Sequence, residues 1–169
     1  MISKKMIDPI RPTDDEARAL ARDLLTGARY AALGVLEPGT GAPMVTRIAI
    51  GTDASSRPAT LISSLSQHTA ALQANPACSV LIGEPGDKGD PLTHPRLTLQ
   101  CRARLVARGA PEHAELRDRW LEQHPKAKLY IDFGDFGFAI LEVSRGFLNG
   151  GFGKAYVLAP RDLGMPAKG

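Results

Sequence analysis

The segment "LISSLSQHTAALQANP" places Ser63, Ser64, Ser66, His68 and Thr69 within seven residues. Serine close to histidine can supply a nucleophile and its general base. Polar side chains at the start of a helix can instead hold an anion. There the first N–H groups are unpaired within the helix, and the macrodipole adds partial positive charge. The flanks place the cluster. An apolar run precedes it and an amphipathic run follows, so it falls on a strand-to-helix turn. Ser66 is the expected N-cap. Gln67, His68 and Thr69 add side-chain donors in the same turn.

The nucleophile reading finds little support. There is no G-x-S-x-G elbow. Ser64 and His68 lie four apart across the turn, with no acidic residue in the segment to orient the imidazole. A triad can still assemble from distant parts of a chain, and no catalytic residue is assigned. The four histidines, His68, His94, His113 and His124, form neither H-E-x-x-H nor a Cys/His cluster, so no metal is expected. His94 falls in a long loop, and His113 and His124 flank a polar helix where solvation is expected. Cys78 and Cys101 lie in strand-like runs and read as buried free thiols. "NGGFGKA" lacks the P-loop and dinucleotide spacings. It reads as a bulge or bend where backbone or ligand comes close. Arg47, in "MVTRIAI", is a cation inside an otherwise apolar strand. Either it lies at a solvated edge or it completes an anion site with a bidentate contact.

These residues need a scaffold. A first helix is expected over Thr13–Thr26, with Thr13 and Glu16 as a capping box. "ARYAALGVLE" and "PMVTRIAIGTD" read as two strands of a hairpin, and "ATLISS" as a third. "SQHTAALQAN" is a short helix and "ACSVLIGE" a fourth strand. "PGDKGDPLTHP" is a long loop expected to be mobile. In "RLTLQCRARLVAR", Leu97, Leu99, Cys101, Ala103 and Leu105 alternate with Arg96, Thr98, Gln100, Arg102 and Arg104, which predicts one buried face. "APEHAELRDRWLEQHP" is a helix with Leu116, Trp120 and Leu121 on its apolar side. "FGFAILEVSRGFLNGGFGKAYVLAP" returns to strands. Strands joined by hairpin-length turns predict a closed or nearly closed antiparallel barrel with peripheral helices. No linker divides the 169 residues, so one domain is expected over 1–169.

The net charge is +3 and the pI about 9.0, but Lys and Arg are scattered and interleaved with acids. That disfavours a nucleic-acid surface. No signal-peptide core or membrane-length apolar run is present, and the protein is expected to be cytoplasmic, without membrane association.

The order of these motifs carries a resemblance. A strand with Thr46-Arg47 comes first, then a strand ending "LISSLSQHT", then a helix closing at Asn75-Pro76. "CSVLI" and "PRLTLQCRARLV" follow. The chain resembles the FMN-binding split-barrel superfamily of pyridoxamine 5′-phosphate oxidase from about Asp14 to Leu158. "S-x-L-x-x-H-T" and the final "GGFG-basic-A" look like its haem-utilisation branch, whose larger members carry a further C-terminal domain. The resemblance implies a mainly β, six-stranded antiparallel split barrel. It also implies a homodimer that holds FMN at the subunit interface and acts on a small-molecule substrate.

By the same resemblance Arg47 takes the place of the phosphate-binding strand arginine. His68, seven residues before Asn75, stands where oxidase relatives carry a phosphate-binding lysine, with Gln67 and Thr69 as flanking donors. Leu61, Ile62 and Ser63 would run along the isoalloxazine ring. Arg96 and Gln100 would reach the partner's flavin. Lys154 stands where haem-utilisation relatives tend to carry arginine. The expected function is an FMN-dependent oxidoreductase. The alternatives are a haem-binding or haem-degrading protein on the same barrel, with His68 or His94 as axial ligand, and a non-enzymatic flavin-binding dimer.

Overall fold

The computed structural model describes residues 8–167. Helix α1 spans Asp15–Gly27, and its buried stripe is Ala17, Ala21 and Leu25, four residues apart on one face. Its cap is Asp14, whose carboxylate accepts from the Ala17 amide at 2.8 Å. The expected Thr13 cap is displaced by one residue because the Thr13 hydroxyl donates to the carbonyl of Val157 at 2.8 Å. Strands β1 (Tyr30–Leu36), β2 (Pro43–Ala49), β3 (Gly51–Thr52) and β4 (Pro58–Ser63) follow. Then come α2 (Gln67–Ala74), β5 (Ala77–Ile82), β6 (Arg96–Leu105), α3 (Pro111–Gln123), β7 (Phe136–Asn149) and β8 (Ala155–Leu158).

All the strand pairings are antiparallel and form one sheet in the order β2-β1-β5-β6-β7-β4-β3, with β8 added on β7. β2 and β3 are two halves of one extended segment, separated only by Ile50. β2 pairs with β1 and β3 pairs with β4, so the first and last strands of the sheet are the same stretch of chain. The sheet therefore curls back on itself. Counting β2–β3 as one strand gives the six-stranded split barrel, and β8 is an addition outside it.

The interior is filled from alternate strand positions. Leu33, Ile50, Leu97, Leu99 and Leu148 are fully buried there, together with the α1 stripe. Burying each of these side chains is worth about 1.5–3 kcal/mol. A second cluster, with Phe138, Ile140, Leu61, Leu116 and Trp120, packs α3 against β4 and β7. The alternation of β6 holds from Leu97 through Cys101, but Leu105 is exposed. Opposite Gln100 and Cys101 the pairing with β7 skips Ser144, a bulge that shifts the register. The outer face carries a cross-strand row, Arg47, Ala32, Leu81, Thr98, Phe147 and Val157, in direct register across β2, β1, β5, β6, β7 and β8.

Cys78 and Cys101 are free thiols directly opposite each other on β5 and β6. Burial pushes Cys78 up to about 11 and raises Cys101 further, which leaves both protonated. His113 and His124 are half-buried, contrary to the expected solvation. His113 packs edge-on against Phe138 at 5.3 Å. His124 stacks on Trp120 at 4.3 Å and bonds the Ile50 carbonyl at 2.8 Å. The glycine-rich segment forms the β7–β8 hairpin turn. Gly151 and Gly153 take φ of 118° and 68°, and the Gly150 amide reaches the Lys154 carbonyl at 2.8 Å. No helix of the described residues is long and apolar enough to cross a membrane.

Candidate functional site

The barrel is split between β2 and β4. β2 pairs only with β1, and β4 beyond Ala59 pairs only with β7. Arg47–Ala49 and Leu61–Ser63 thus present facing strand edges, where alternate N–H and C=O groups point into the gap. The Thr60 hydroxyl spans one end by donating to the Ala49 carbonyl at 2.7 Å. Leu61 and Ile62 bury their side chains on opposite faces of β4, in the two apolar clusters. What they offer to the gap is backbone.

The other end of the gap is closed by the turn into α2. The Ser63 carbonyl accepts from the Ser66 amide at 3.1 Å and from the Thr69 hydroxyl at 2.6 Å. The Ser63 hydroxyl donates to Asp135 at 2.6 Å and accepts from the Leu65 amide at 3.1 Å. The expected donor Thr69 thus has its hydroxyl proton engaged inside the turn, as does Ser63. Ser66 occupies the N-cap position, but its side chain makes no capping bond. Its carbonyl receives the Thr69 and Ala70 amides. The amides of Gln67 and His68 precede that first bond and lie outside the helical ladder. The Gln67 side chain is exposed at the same terminus.

His68 is tied to β2 by a 3.0 Å contact between Nδ1 and the Thr46 hydroxyl. It is half-buried, and burial lowers it below the ordinary imidazole value, so the ring is neutral near pH 7. Its Nε2 has no protein partner among the described residues. Arg47, the next residue along β2, is exposed, with its guanidinium 5.5 Å from the Tyr30 ring centroid. No carboxylate pairs with it among the described residues. A neutral imidazole, an amide side chain and two helix-start N–H groups thus meet at one end of the gap, while the Arg47 guanidinium stands on the outer face of β2, the side opposite Thr46. This donor set fits a phosphate, and the open strand edges fit the polar rim of a flat heteroaromatic ring.

Other expected residues lie elsewhere. Arg96 donates to the Leu92 carbonyl at 3.0 Å and braces the loop before β6. Gln100 faces outward and accepts from Arg145 at 2.7 Å. Both belong to β6, which is separated from β2 by β1 and β5. Lys154 is exposed on the β7–β8 hairpin. One protomer does not bring these three to the gap. Gln100 lines a groove of about 410 Å³ with Cys78, Cys101, Gly34 and Met44. Arg96 lines a cavity of about 600 Å³ between the end of α1, β1 and the loop before β6. His94 has both ring nitrogens engaged, by the Gly86 amide at 3.2 Å and the Lys88 carbonyl at 2.7 Å.

Two residues escape sequence reasoning. Thr46 stands beside Arg47, but nothing local says that it reaches His68. Asp135 precedes β7 and is distant in sequence from Ser63. A Ser-His-Asp constellation does not assemble, because Asp135 bonds Ser63 while His68 bonds Thr46.

Residues 12–163 match the family described as CREG, beta-barrel. The atypical chloroplastic heme oxygenase HOZ of Arabidopsis thaliana is 40% identical over 103 residues, 60% of this chain and 30% of that protein. The structure of a heme binding protein from Mycobacterium smegmatis superposes with a TM-score of 0.79 at 27% identity, over 92% of this chain and 61% of the other. The chain thus spans less than two thirds of either relative. A Clostridium acetobutylicum protein of the pyridoxinephosphate oxidase family shares the fold, with a TM-score of 0.66 at 12% identity over 89% of this chain and 99% of the other. The family match over nearly the whole chain and the curled antiparallel sheet agree: the chain belongs to the CREG beta-barrel family.

Proposed function

We propose that the protein binds FMN in the gap between β2 and β4 and works in the cytoplasm as a flavin-dependent oxidoreductase on a small-molecule substrate. The observation that supports this reading is the pairing of two open strand edges with His68, Gln67 and the first N–H groups of α2 at one end, and with the exposed guanidinium of Arg47 on the adjoining outer face of β2. The flavin, when bound, supplies the redox chemistry. Arg47 holds the phosphate with its guanidinium, His68 and the Gln67 side chain add N–H donors, and Thr69 supports the turn. The backbone of Leu61, Ile62 and Ser63 orients the ring edge.

The gap is open on one side, and a second copy of the chain would close it. In that homodimer Arg96 and Gln100, unable to reach the gap of their own protomer, would contact the partner's flavin. Lys154 would serve the same interface. Titration of the purified protein with FMN, followed by flavin fluorescence, tests the reading. Saturation at one FMN per chain is expected, and no quenching at tens of micromolar would reject it.

Haem on the same barrel is the second reading. It is favoured by the heme oxygenase and heme binding protein among the relatives and by the unpartnered His68 Nε2. His94 is the weaker axial candidate because its nitrogens are engaged by the loop backbone. A Soret band that saturates at stoichiometric haem, with no response to FMN, would establish this reading in place of the first.

A further inference from the structure

β8 pairs with β7 alone among the strands, so its other edge must be satisfied in another way. In the β7–β8 turn the Gly150 amide bonds the Lys154 carbonyl, and from there the register turns the backbone of Tyr156 and Leu158 toward β7. Ala155 and Val157 therefore point their N–H and C=O groups away from β7, along the outer edge. The segment Asp8–Thr13 covers that edge. Ile10 forms a parallel bridge with Ala155, and the Arg11 amide donates to the Ala155 carbonyl at 2.8 Å. The Thr13 hydroxyl donates to the Val157 carbonyl, also at 2.8 Å.

Cover and edge differ in chemistry. β8 reads AYVL, with none of the charges or prolines that discourage strand pairing. The covering segment carries them instead. Pro9 and Pro12 have no N–H, the Ile10 amide donates to the Asp8 carboxylate at 2.9 Å, and the Arg11 amide is used by Ala155. From Pro9 to Pro12 no backbone N–H is left to bond a further strand. The hold on the edge is slight. Asp8 to Pro12 are all exposed, so the segment can open without unpacking the core.

A bare β8 edge is complementary to itself. Two antiparallel copies related by a twofold axis at Tyr156 set Ala155 of one opposite Val157 of the other. The outward N–H and C=O groups of each then exchange bonds, while Tyr156 and Leu158 keep their buried places. We infer that β8 is a strand-addition site for the β8 of a second copy, and that Asp8–Thr13 is the strap that keeps it closed. This contact uses the edge of the sheet, whereas Leu81 lies on its outer face, and it does not depend on which cofactor the gap takes.

Arg11→Pro combined with Thr13→Val, made in the full chain, removes both bonds that hold the strap. Sedimentation is expected to show this variant growing with concentration to at least about twice the mass of the unaltered chain measured alongside. Hydrogen exchange should find the Ala155 and Val157 amides increasingly protected as it associates. Adding Val157→Pro deletes an N–H that faces away from β7 and should return the variant to the mass of the unaltered chain. Val157→Lys, which sets a charge on the edge strand, should do the same. Circular dichroism checks that each variant folds. An Arg11→Pro, Thr13→Val protein that sediments like the unaltered chain at every concentration would overturn the inference. So would an association that persists in both Val157 variants, or one that leaves the Ala155 and Val157 amides unprotected.

Discussion

Asp135 holds the end of β4 at two points: its carboxylate accepts from the Ser63 hydroxyl at 2.6 Å, and its carbonyl accepts from the Ser64 amide at 2.7 Å. Only the first depends on the side chain. Asp135→Ala is expected to lose about 1–2 kcal/mol of stability, the scale of a partly exposed hydrogen bond to a charged group. Urea unfolding measures it, and an unchanged midpoint would show that the Ser63 turn holds without this bond.

Arg47 is exposed, with its guanidinium over the Tyr30 ring. Arg47→Ala should therefore leave the melting temperature nearly unchanged. FMN binding should weaken by about 1.5–3 kcal/mol, the worth of a hydrogen bond to a charged group. Fluorescence titration reads the affinity. Equal affinity in both proteins would remove Arg47 from the site.

Acid should destabilise the fold. His68 and His124 are held below the ordinary imidazole value, each chiefly by burial. Arg29 adds to the effect at His124, and the bond to Ile50 opposes it. His113 is lowered by burial first, then by Arg108 and Arg117. Unfolding restores the ordinary value of about 6.5, so just below that pH the unfolded chain binds more protons than the folded one. Stability is then complete above about pH 6.5 and falls as the pH drops below it. Thermal melts from about pH 7.5 to 5.5 should show a declining midpoint, with a shallower slope in His124→Gln. A midpoint independent of pH across that range would contradict the burial of these rings.

Ile50 is fully buried at the point where one chain segment leaves the β1 pairing and enters the β4 pairing. Ile50→Ala should cost about 2–5 kcal/mol, the range for truncating a buried aliphatic side chain. A loss under about 0.5 kcal/mol in chemical denaturation would mean that the joint collapses around the smaller side chain.

The proposed dimer has its own test. Leu81 is 45% exposed in the cross-strand row of the outer face. Sedimentation should find the wild type dimeric and Leu81→Lys monomeric, with circular dichroism unchanged. A monomeric wild type would rule out a site completed by a second copy.

The sequence by itself determined the strands, the three helices and the apolar positions that fill the barrel, because periodicities of 2 and 3.6 are local properties of the chain. The face of β6 from Leu97 to Cys101 and the Leu116–Trp120 side of α3 were legible in this way. The order of motifs also pointed to the split barrel. Hydrogen-bond partners were not legible, because a hydroxyl's choice depends on which distant atom the fold brings within 3 Å. Thr13 turns to Val157 and leaves the cap to Asp14. Thr69 turns back to Ser63, and Ser63 to Asp135. Nor could periodicity say that β2 and β3 are one strand serving both lips of the barrel, or that Arg96 and Gln100 lie strands away from Arg47. Register and closure are long-range outcomes, and they alone brought the His68 ring, at the start of α2, against the Thr46 hydroxyl of β2.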